Sequence, residues 1–252
     1  MQMHNSATQK PSLAKDMQEL DTFIYHISHN LRAPLASILG LTHLAMKHGN
    51  KSPEDVDTYF SMIEQSVIKM DTKLGEMLDY SRNSSMPVKI KDIDLEKLLQ
   101  ETYQHMKHLE GHDQIEFQVH VTDHQPFFSD QYRITAILEN LISNAVKYSD
   151  PQKEKSFIHV NVKVIPEQTV IVLHDNGIGI AENELPKVFN MFYRATANSK
   201  GSGLGLYLVG EMMDKLKGNI EITSTHHEET FVTLTIPNNP PPVNFLFKNQ
   251  SV

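Results

Sequence analysis

The chain of 252 residues contains no cysteine. Disulfide bonds, thiolate metal sites and cysteine nucleophiles are therefore excluded, and the absence fits a reducing compartment. No apolar run approaches the 18 or so residues of a membrane span, and the N-terminus MQMHNSATQKPSLAK lacks the apolar segment of a signal peptide. We therefore expect a cytoplasmic protein with no direct membrane span in this chain.

The sequence also lacks an excess of basic residues. It has 23 Lys and Arg against 31 Asp and Glu, which gives a formal net charge of −8. A protein that holds nucleic acid through a broad basic surface would have the opposite balance, so we expect no nucleic-acid partner. The hydrophobic content of 39% and charged content of 21% are typical of globular proteins, and the length suits one large or two ordinary domains.

The first third of the sequence predicts two antiparallel helices. Apolar residues recur alternately four and three positions apart, and HGNKSPED separates the two series with helix-ending Gly49 and Asn50, then Ser52 as a cap before Pro53. Extra apolar residues such as Leu35 widen the stripe, so we expect two hairpins to pair as a homodimeric four-helix bundle. The first series is Leu13, Met17, Leu20, Ile24, Ile27, Leu31, Pro34, Ile38, Leu41 and Ala45, and the second is Val56, Phe60, Ile63, Val67, Met70, Leu74, Met77 and Ser81.

The stretch SHNLRAPL places a titratable residue and a proline inside the first helix. In the heptad register His29 falls at the position farthest from the seam and faces water. Pro34 has no N–H, so the carbonyl of Asn30 loses its helical partner and the helix should bend or loosen there. Taken alone, His29 is better explained as an ordinary solvated helix residue.

After NSSMPVK the pattern changes to alternating strands and helices. We predict strands over residues 88–95, 114–121, 157–165, 169–175, 219–225 and 230–236, and helices over 95–110, 130–148 and 204–217. Strands in antiparallel pairs with helices between them predict an α+β fold, an α/β sandwich with helices on one face. The expected domains are residues 1–86 for the hairpin and 87–238 for the sandwich, with a proline-rich, poorly ordered tail over 239–252.

The first of three candidate chemical clusters lies on a predicted helix. Asn140, Asn144 and Lys147 are four and three residues apart and share one face. Amide oxygens can ligate a hard cation and lysine can meet phosphate charge, so this face suits a magnesium polyphosphate group. A solvated helix face explains the same pattern.

The other two clusters are rich in glycine. In DNGIGI, Asp175 ends an apolar strand, where its carboxylate can accept a hydrogen bond from an exocyclic amine, although a plain glycine turn gives the same spacing. GSGLGL, from Gly201 to Leu206, precedes a helix whose N-terminus can receive phosphate, and it matches neither a Walker loop nor a dinucleotide fingerprint. Between them, a segment with Phe189 and Phe192 as anchors has the character of a mobile lid.

The order of these motifs is more specific than any one of them. SHNLRAPL, NLISNAVKYS, DNGIGI, VFNMFYR and GSGLGL resemble the H, N, G1, F and G2 boxes of bacterial sensor histidine kinases. The resemblance covers residues 21–237 and implies a dimerisation and phosphoacceptor hairpin followed by an ATP-binding domain of the Bergerat type. It also implies that the chain is a soluble kinase or the cytoplasmic part of a larger sensor.

The resemblance implies an activity and a set of functional residues. His29 would be phosphorylated by ATP with Mg²⁺ and would pass the phosphoryl group to an aspartate of a response regulator receiver domain. Asp175 would bind adenine, Asn140 and Asn144 would hold the metal, and Lys147 and Arg194 would meet phosphate. The implied catalytic residues are His29, Asn30, Asn140 and Lys147, and the implied nucleotide site comprises Asn140, Asn144, Lys147, Tyr148, Asp175, Gly177, Gly179, Ile180, Phe192, Arg194, Gly201, Ser202, Gly203, Leu204, Gly205 and Leu206.

Two positions depart from the family pattern. The residue after the phosphoacceptor is usually acidic in the family, but here it is Asn30, whose amide cannot act as a base, so we expect slow autophosphorylation. Four residues after the histidine the family often has threonine or asparagine. Here Ala33 predicts weak phosphatase activity toward the regulator.

Two other functions compete with the kinase. One is an ATP-binding dimeric scaffold that signals by conformation alone. The other is a clamp or chaperone ATPase, which would carry a glutamate in place of Asn140 to activate water and would have no use for an exposed histidine on a hairpin.

Overall fold

The computed structural model of the protein describes residues 13–47, 52–123, 125–195 and 201–240. The chain divides into two compact units, the first ending at Met77 and the second beginning at Leu78. Each unit has its own architecture. The predicted functional boundary between residues 86 and 87 stays a prediction, and residues 241–252 of the predicted tail lie outside the described residues.

Two long helices follow one another at the start of the chain, as the heptad pattern predicts, and the first unit contains the first helix and most of the second. Helix α1 spans Leu13–Lys47 and helix α2 spans Pro53–Ser85. The start of α2 forms as expected: Ser52 Oγ accepts the N–H of Asp55 at 3.2 Å, and the Asp55 carboxylate accepts the N–H of Ser52 at 3.3 Å. The predicted helix-ending residues Gly49 and Asn50 lie outside the described residues.

The apolar stripe of α2 is shared between two faces. Ile63, Met70 and Met77 are partly covered within the hairpin, together with Tyr59, Ser66 and Lys73. Three other apolar residues of the predicted series, Phe60, Val67 and Leu74, are 63%, 46% and 42% exposed. Alternate members of the series therefore turn away from α1 and leave apolar surface that the hairpin of one chain does not cover.

The second unit contains, in chain order, the elements β1 (Ile90–Ile93), α3 (Leu95–His105), β2 (Ile115–Thr122), β3 (Phe127–Asp130), α4 (Gln131–Lys147), β4 (Ser156–Val164), β5 (Gln168–Asp175), α5 (Gly205–Leu216), β6 (Asn219–Thr225) and β7 (Glu229–Pro237). Five of these strands form a sheet with the order β2-β4-β5-β7-β6. Strands β2 and β4 are parallel, and the other neighbours are antiparallel. A separate antiparallel pair joins β1 to β3.

Helices α3, α4 and α5 cover one face of this sheet. Alternation along β4 sends Ile158, Val160, Val162 and Val164 into the core, and the buried faces of α4 and α5 pack over them. The predicted α+β sandwich with helices on one face is therefore confirmed.

The structure corrects the predicted elements in three places. Strand β3 was not predicted, because FFSD is only four residues long and pairs with the equally short β1. The helix predicted to end at residue 110 ends at His105 and continues as a short 3₁₀ turn over Met106–His108. The purely antiparallel pairing is wrong at β2, because α4 supplies a crossover that brings β4 in parallel to it.

Candidate nucleotide site and phosphoacceptor

The C-terminal half of α4 forms the floor of the candidate nucleotide site. The helix begins at a capping Asp130, whose carboxylate accepts the N–H of Arg133 at 3.0 Å, and its apolar face is buried. Asn140, Asn144 and Lys147 are half-buried on the other face. The Asn140 amide N–H donates to the carbonyl of Ala136 at 2.8 Å, which turns its own oxygen away from the helix.

The loop after β5 packs directly on the end of α4. Ile178 N–H donates to the carbonyl of Tyr148 at 3.0 Å. A side chain on Gly177 would place its Cβ 2.5 Å from that same carbonyl, so only glycine permits this approach. The backbone of Tyr148 therefore brings the DNGIGI cluster against the end of the helix that carries Asn140, Asn144 and Lys147. The spacing of these motifs in the sequence did not indicate this contact.

Asp175 is the most buried titratable group of this region, with 8% of its surface exposed. Its carboxylate accepts the N–H of Gly177 at 2.9 Å. Burial raises the pKa of Asp175 to about 6, although the Gly177 hydrogen bond and the positive charges of His174 and Lys153 act in the opposite direction. The carboxyl group is therefore an acceptor in a weakly solvated place, which suits recognition of an amine.

The β6–β7 turn forms the outer wall of the loop after Asp175. Gly179 has φ +63°, and a Cβ there would lie 2.1 Å from the carbonyl of Thr225. The N–H of Ile180 donates to Ser224 Oγ at 2.8 Å. The Lys153 ammonium donates to the carbonyls of both Gly177 and Glu228, and it therefore ties the loop to the turn.

Asn176 anchors the loop from the other side. Its side-chain oxygen accepts the N–H of Phe157 at 2.8 Å, and its amide donates to the carbonyl of Lys155 at 2.8 Å. Sequence reasoning did not single out Lys153 or Asn176. Asn176 lies inside the DNG motif and could have been found there, whereas nothing in the sequence around Lys153 indicates its partners.

The glycine-rich segment before α5 closes on both α4 and the preceding segment. A Cβ on Gly205 would lie 2.7 Å from the side-chain oxygen of Asn140. Gly203 has φ +79°, and its carbonyl accepts the N–H of Phe192 at 2.9 Å. Leu204 is buried, and its N–H donates to Ser202 Oγ at 3.1 Å. The three clusters therefore converge on one end of the sandwich.

The segment predicted as a lid runs between the two glycine clusters. It contains a 3₁₀ turn over Leu185–Lys187 and a buried Val188, and Phe189 lies beside Gly210 of α5. Phe192 has φ +62°, a strained value for this residue type, at its contact with Gly203. Arg194 is exposed, and residues 196–200 lie outside the described residues.

The candidate phosphoacceptor lies on α1 in the first unit. His29 is exposed, as the heptad register predicts, and Pro34 is buried. The carbonyl of Asn30 accepts a hydrogen bond from the Lys73 ammonium of α2 at 3.0 Å. Helix α1 continues through Pro34, and the contact between Lys73 and Asn30 was not predicted from the sequence.

Family descriptions match both units. "His Kinase A (phospho-acceptor) domain" matches residues 19–85. "Histidine kinase-, DNA gyrase B-, and HSP90-like ATPase" matches residues 129–240. Among the helices that the structure describes, none has the length and apolar character needed to cross a bilayer.

The chain is also similar to named histidine kinases. It is 30% identical to the methanogenesis regulatory histidine kinase FilI of Methanothrix harundinacea over 226 residues, which is 87% of this chain and 25% of that protein. It is 30% identical to the sensor histidine kinase WalK of Bacillus subtilis over 231 residues, 87% of this chain and 37% of WalK. The chain therefore spans only 25% to 37% of the length of these relatives.

Solved structures share the fold. The histidine kinase AdeS of Acinetobacter baumannii has a TM-score of 0.66 at 21% identity, covering 84% of this chain and 98% of that one. The histidine kinase ThkA, solved in complex with the response regulator protein TrrA, has a TM-score of 0.69 at 20% identity, covering 90% and 64% of the two chains. With a phosphoacceptor match on the helical hairpin and an ATPase match on the sandwich, the chain belongs to the sensor histidine kinases of two-component systems.

Proposed function

We propose that the protein is an ATP-dependent histidine kinase that phosphorylates His29 and passes the phosphoryl group to an aspartate of a response regulator. The observation that carries this proposal is the convergence of Asn140, Tyr148, Gly177 and Gly205 at one end of the sandwich. The helical hairpin separately presents an exposed imidazole. The response regulator is proposed by family membership, since ThkA was solved with such a partner.

The buried carboxyl group of Asp175 is the proposed adenine contact. A carboxylate accepts a hydrogen bond from the exocyclic amine of adenine, and glycines at 177 and 179 keep the neighbouring backbone free of side chains. The ring would lie beside backbone that is held on three sides by Tyr148, Asn176 and the β6–β7 turn. This rigid frame favours a flat ligand of fixed orientation.

The face of α4 is the proposed contact for the triphosphate and its metal. The oxygen of Asn140 is directed away from the helix because its amide N–H is engaged with Ala136, and amide oxygens are suitable ligands for Mg²⁺. Asn140 and Asn144 would hold the ion, and Lys147 and Arg194 would meet phosphate oxygens. When bound, Mg²⁺ neutralises charge that develops on the phosphates. The described residues contain no cluster of three His, Asp or Glu side chains that could bind a metal alone.

An asparagine at position 140 also disfavours hydrolysis of the bound nucleotide. A glutamate at this position could remove a proton from an attacking water molecule, but an amide cannot. Binding without hydrolysis leaves the γ-phosphoryl group for a different nucleophile. This difference favours the kinase over a clamp or chaperone ATPase.

The proposed nucleophile is the neutral imidazole of His29. A ring nitrogen forms the new N–P bond while the bond between the γ-phosphorus and the bridging oxygen breaks, and ADP carries the electron pair away. Phosphoryl transfer of this kind depends mainly on positioning and charge neutralisation. We also propose a cytoplasmic location, where ATP is available, and a homodimer assembled through the exposed apolar residues of the hairpin.

Labelling with γ-³²P ATP and magnesium tests the proposal. The parent protein should acquire an acid-labile label, and His29→Gln should abolish it. His43→Gln changes another exposed histidine of α1 and should keep the label. Release of ADP without label from the parent would instead indicate an ATPase, and binding without label or ADP release would indicate a scaffold.

Replacing Asn30, the residue after the phosphoacceptor, with aspartate should increase the rate of autophosphorylation. Asn30→Asp introduces a carboxylate that can orient and deprotonate the imidazole, and general-base assistance is worth about 10²- to 10⁴-fold where it operates. We expect faster phosphohistidine formation, measured as an initial rate at saturating ATP. An equal or lower rate than the parent would contradict this role.

A further inference from the structure

Helix α1 runs without interruption through Pro34. Proline has no N–H, so it cannot donate to the carbonyl four residues earlier, and its ring crowds that carbonyl. The carbonyl in question belongs to Asn30, the residue directly after His29. A turn that carries a reacting side chain therefore lacks one of the hydrogen bonds that hold a helix.

Lys73 supplies the missing donor from the neighbouring helix. Its ammonium lies 3.0 Å from the Asn30 oxygen, in a partly buried position between the two helices of the hairpin. On α2, Lys73 lies between Met70 and Met77 in the stripe that is covered within the hairpin. A lysine in such a stripe is costly to bury unless its charge finds a partner, and the freed carbonyl provides one.

We propose that Lys73 is a positioning residue for phosphorylation of His29. The ammonium and the freed carbonyl form a cross-helix pair that fixes the backbone of the phosphoacceptor turn. The proline makes the carbonyl available, and the lysine holds it. This inference rests on the proposed function of His29 and adds a residue on α2 to it.

The hydrogen bond between Lys73 and the Asn30 carbonyl can affect the rate of His29 phosphorylation without changing the affinity for ATP. Loss of the ammonium leaves the Asn30 carbonyl without a partner inside a turn already weakened by proline, so the imidazole samples more orientations. Misplacement of a reacting group lowers the rate of a positioned reaction strongly. Lys73 belongs to the first unit, whereas the candidate nucleotide site belongs to the second.

The test is a double-mutant cycle on the full chain. Lys73→Met keeps most of the side-chain volume and removes the charge, and it should lower kcat for phosphohistidine formation about five- to tenfold. The KM for ATP should stay within about twofold of the parent value. Lys69→Met, an exposed lysine one turn earlier on α2, is the matched control and should leave both constants unchanged.

Pro34→Ala supplies the second arm of the cycle. Alanine restores a backbone N–H for the Asn30 carbonyl, so Lys73→Met added to Pro34→Ala should change kcat by less than about twofold relative to Pro34→Ala alone. Equal losses in the two backgrounds would overturn the pairing, because a merely structural lysine would not distinguish them. Full activity of Lys73→Met in the parent background would overturn it as well.

These outcomes are separate from a failure of the proposed function. If His29→Gln retained the acid-labile label, the phosphoacceptor assignment would be wrong and the inference would be overturned with it. If His29→Gln lost the label while Lys73→Met matched Lys69→Met, only the positioning role would be overturned. Circular dichroism at the working temperature should show the same helix content for all four single variants.

Discussion

At the scale of single residues, Asp175, the proposed adenine contact, is a buried titratable group. Burial disfavours the ionised form of its carboxyl group, whereas the N–H of Gly177 and the nearby His174 and Lys153 favour it. The sequence indicated this residue through the resemblance of DNGIGI to the G1 box of the family, since the spacing alone is also that of a plain glycine turn. It did not predict Lys153 or Lys73, since each finds its partner through contacts between distant segments.

The raised pKa of Asp175 predicts a specific pH dependence of stability. The pKa of this carboxyl group is about 6 in the folded protein and about 4 in the unfolded chain, so the folded state binds the proton more tightly. The contribution of this carboxyl group to the free energy of unfolding is therefore fully present below pH 4. It is lost as the pH rises through 6, and the total loss is about 3 kcal/mol. Asp175→Asn removes this loss.

Chemical unfolding of the nucleotide-free protein measures the effect. The unfolding free energy of Asp175→Asn, relative to the parent, should increase by about 2 to 3 kcal/mol between pH 4 and pH 7.5. Asp214→Asn, on the exposed face of α5, is the control and should show no such change. A constant difference between Asp175→Asn and the parent across this range would show that the carboxyl group is not titrating near pH 6.

At the scale of elements, Arg133 joins α4 to the end of α2. Its guanidinium is 1% exposed and donates to the Asp130 carboxylate at 2.9 Å, to the Asn83 side chain at 2.8 Å and to the Met86 carbonyl at 2.7 Å. Residues 78–85 of α2 accordingly belong to the second compact unit. Helix periodicity predicted both helices well, but a buried arginine inside an otherwise amphipathic pattern gave no sign of its partners.

Removing this guanidinium should be strongly destabilising. Arg133→Met leaves the buried carboxylate of Asp130 without its charged partner, at a cost of about 3 to 5 kcal/mol. Urea unfolding followed by far-UV circular dichroism should show the loss, and Arg82→Met, an exposed arginine of the same region, should stay within about 0.5 kcal/mol of the parent. A loss below about 1 kcal/mol for Arg133→Met would contradict a stabilising role for this network.

The length and pairing of each strand explain which strands could be predicted from the sequence. Strands β4, β5 and β7 are long, alternate clearly and were recognised from sequence. Strand β1 lies within the strand predicted over residues 88–95, whereas β3 was missed because its four residues are too few to show an alternating pattern. The parallel contact between β2 and β4 depends on the path of the chain through α4, which local patterns do not specify.

At the scale of the whole molecule, the hairpin has apolar surface left to cover. Phe60, Val67 and Leu74 recur every seven residues on α2 and are exposed in the single chain, and Leu35 and Leu39 of α1 are 51% and 57% exposed. A heptad-spaced apolar face is the surface by which helices form bundles. The sequence predicted a bundle, but it could not divide the apolar residues between the partner helix and a second chain.

A charged side chain in the exposed heptad face of α2 should dissociate the predicted dimer. Sedimentation equilibrium should give the parent twice its chain mass of 28.7 kDa, and Val67→Glu should shift the population to the monomer. Ile68→Glu places the same charge on another face of α2 and should leave the dimer intact, since Ile68 is exposed and lies outside the heptad series. A parent that sediments as a monomer at all concentrations would contradict the bundle.

The most direct test of the central claim is the location of the phosphoryl group. The protein is incubated with ATP and magnesium, digested at alkaline pH where phosphohistidine survives, and analysed by mass spectrometry with fragmentation. We predict an added phosphoryl group on His29. Phosphate on any other residue, or no phosphate at all while nucleotide is bound, would contradict the account.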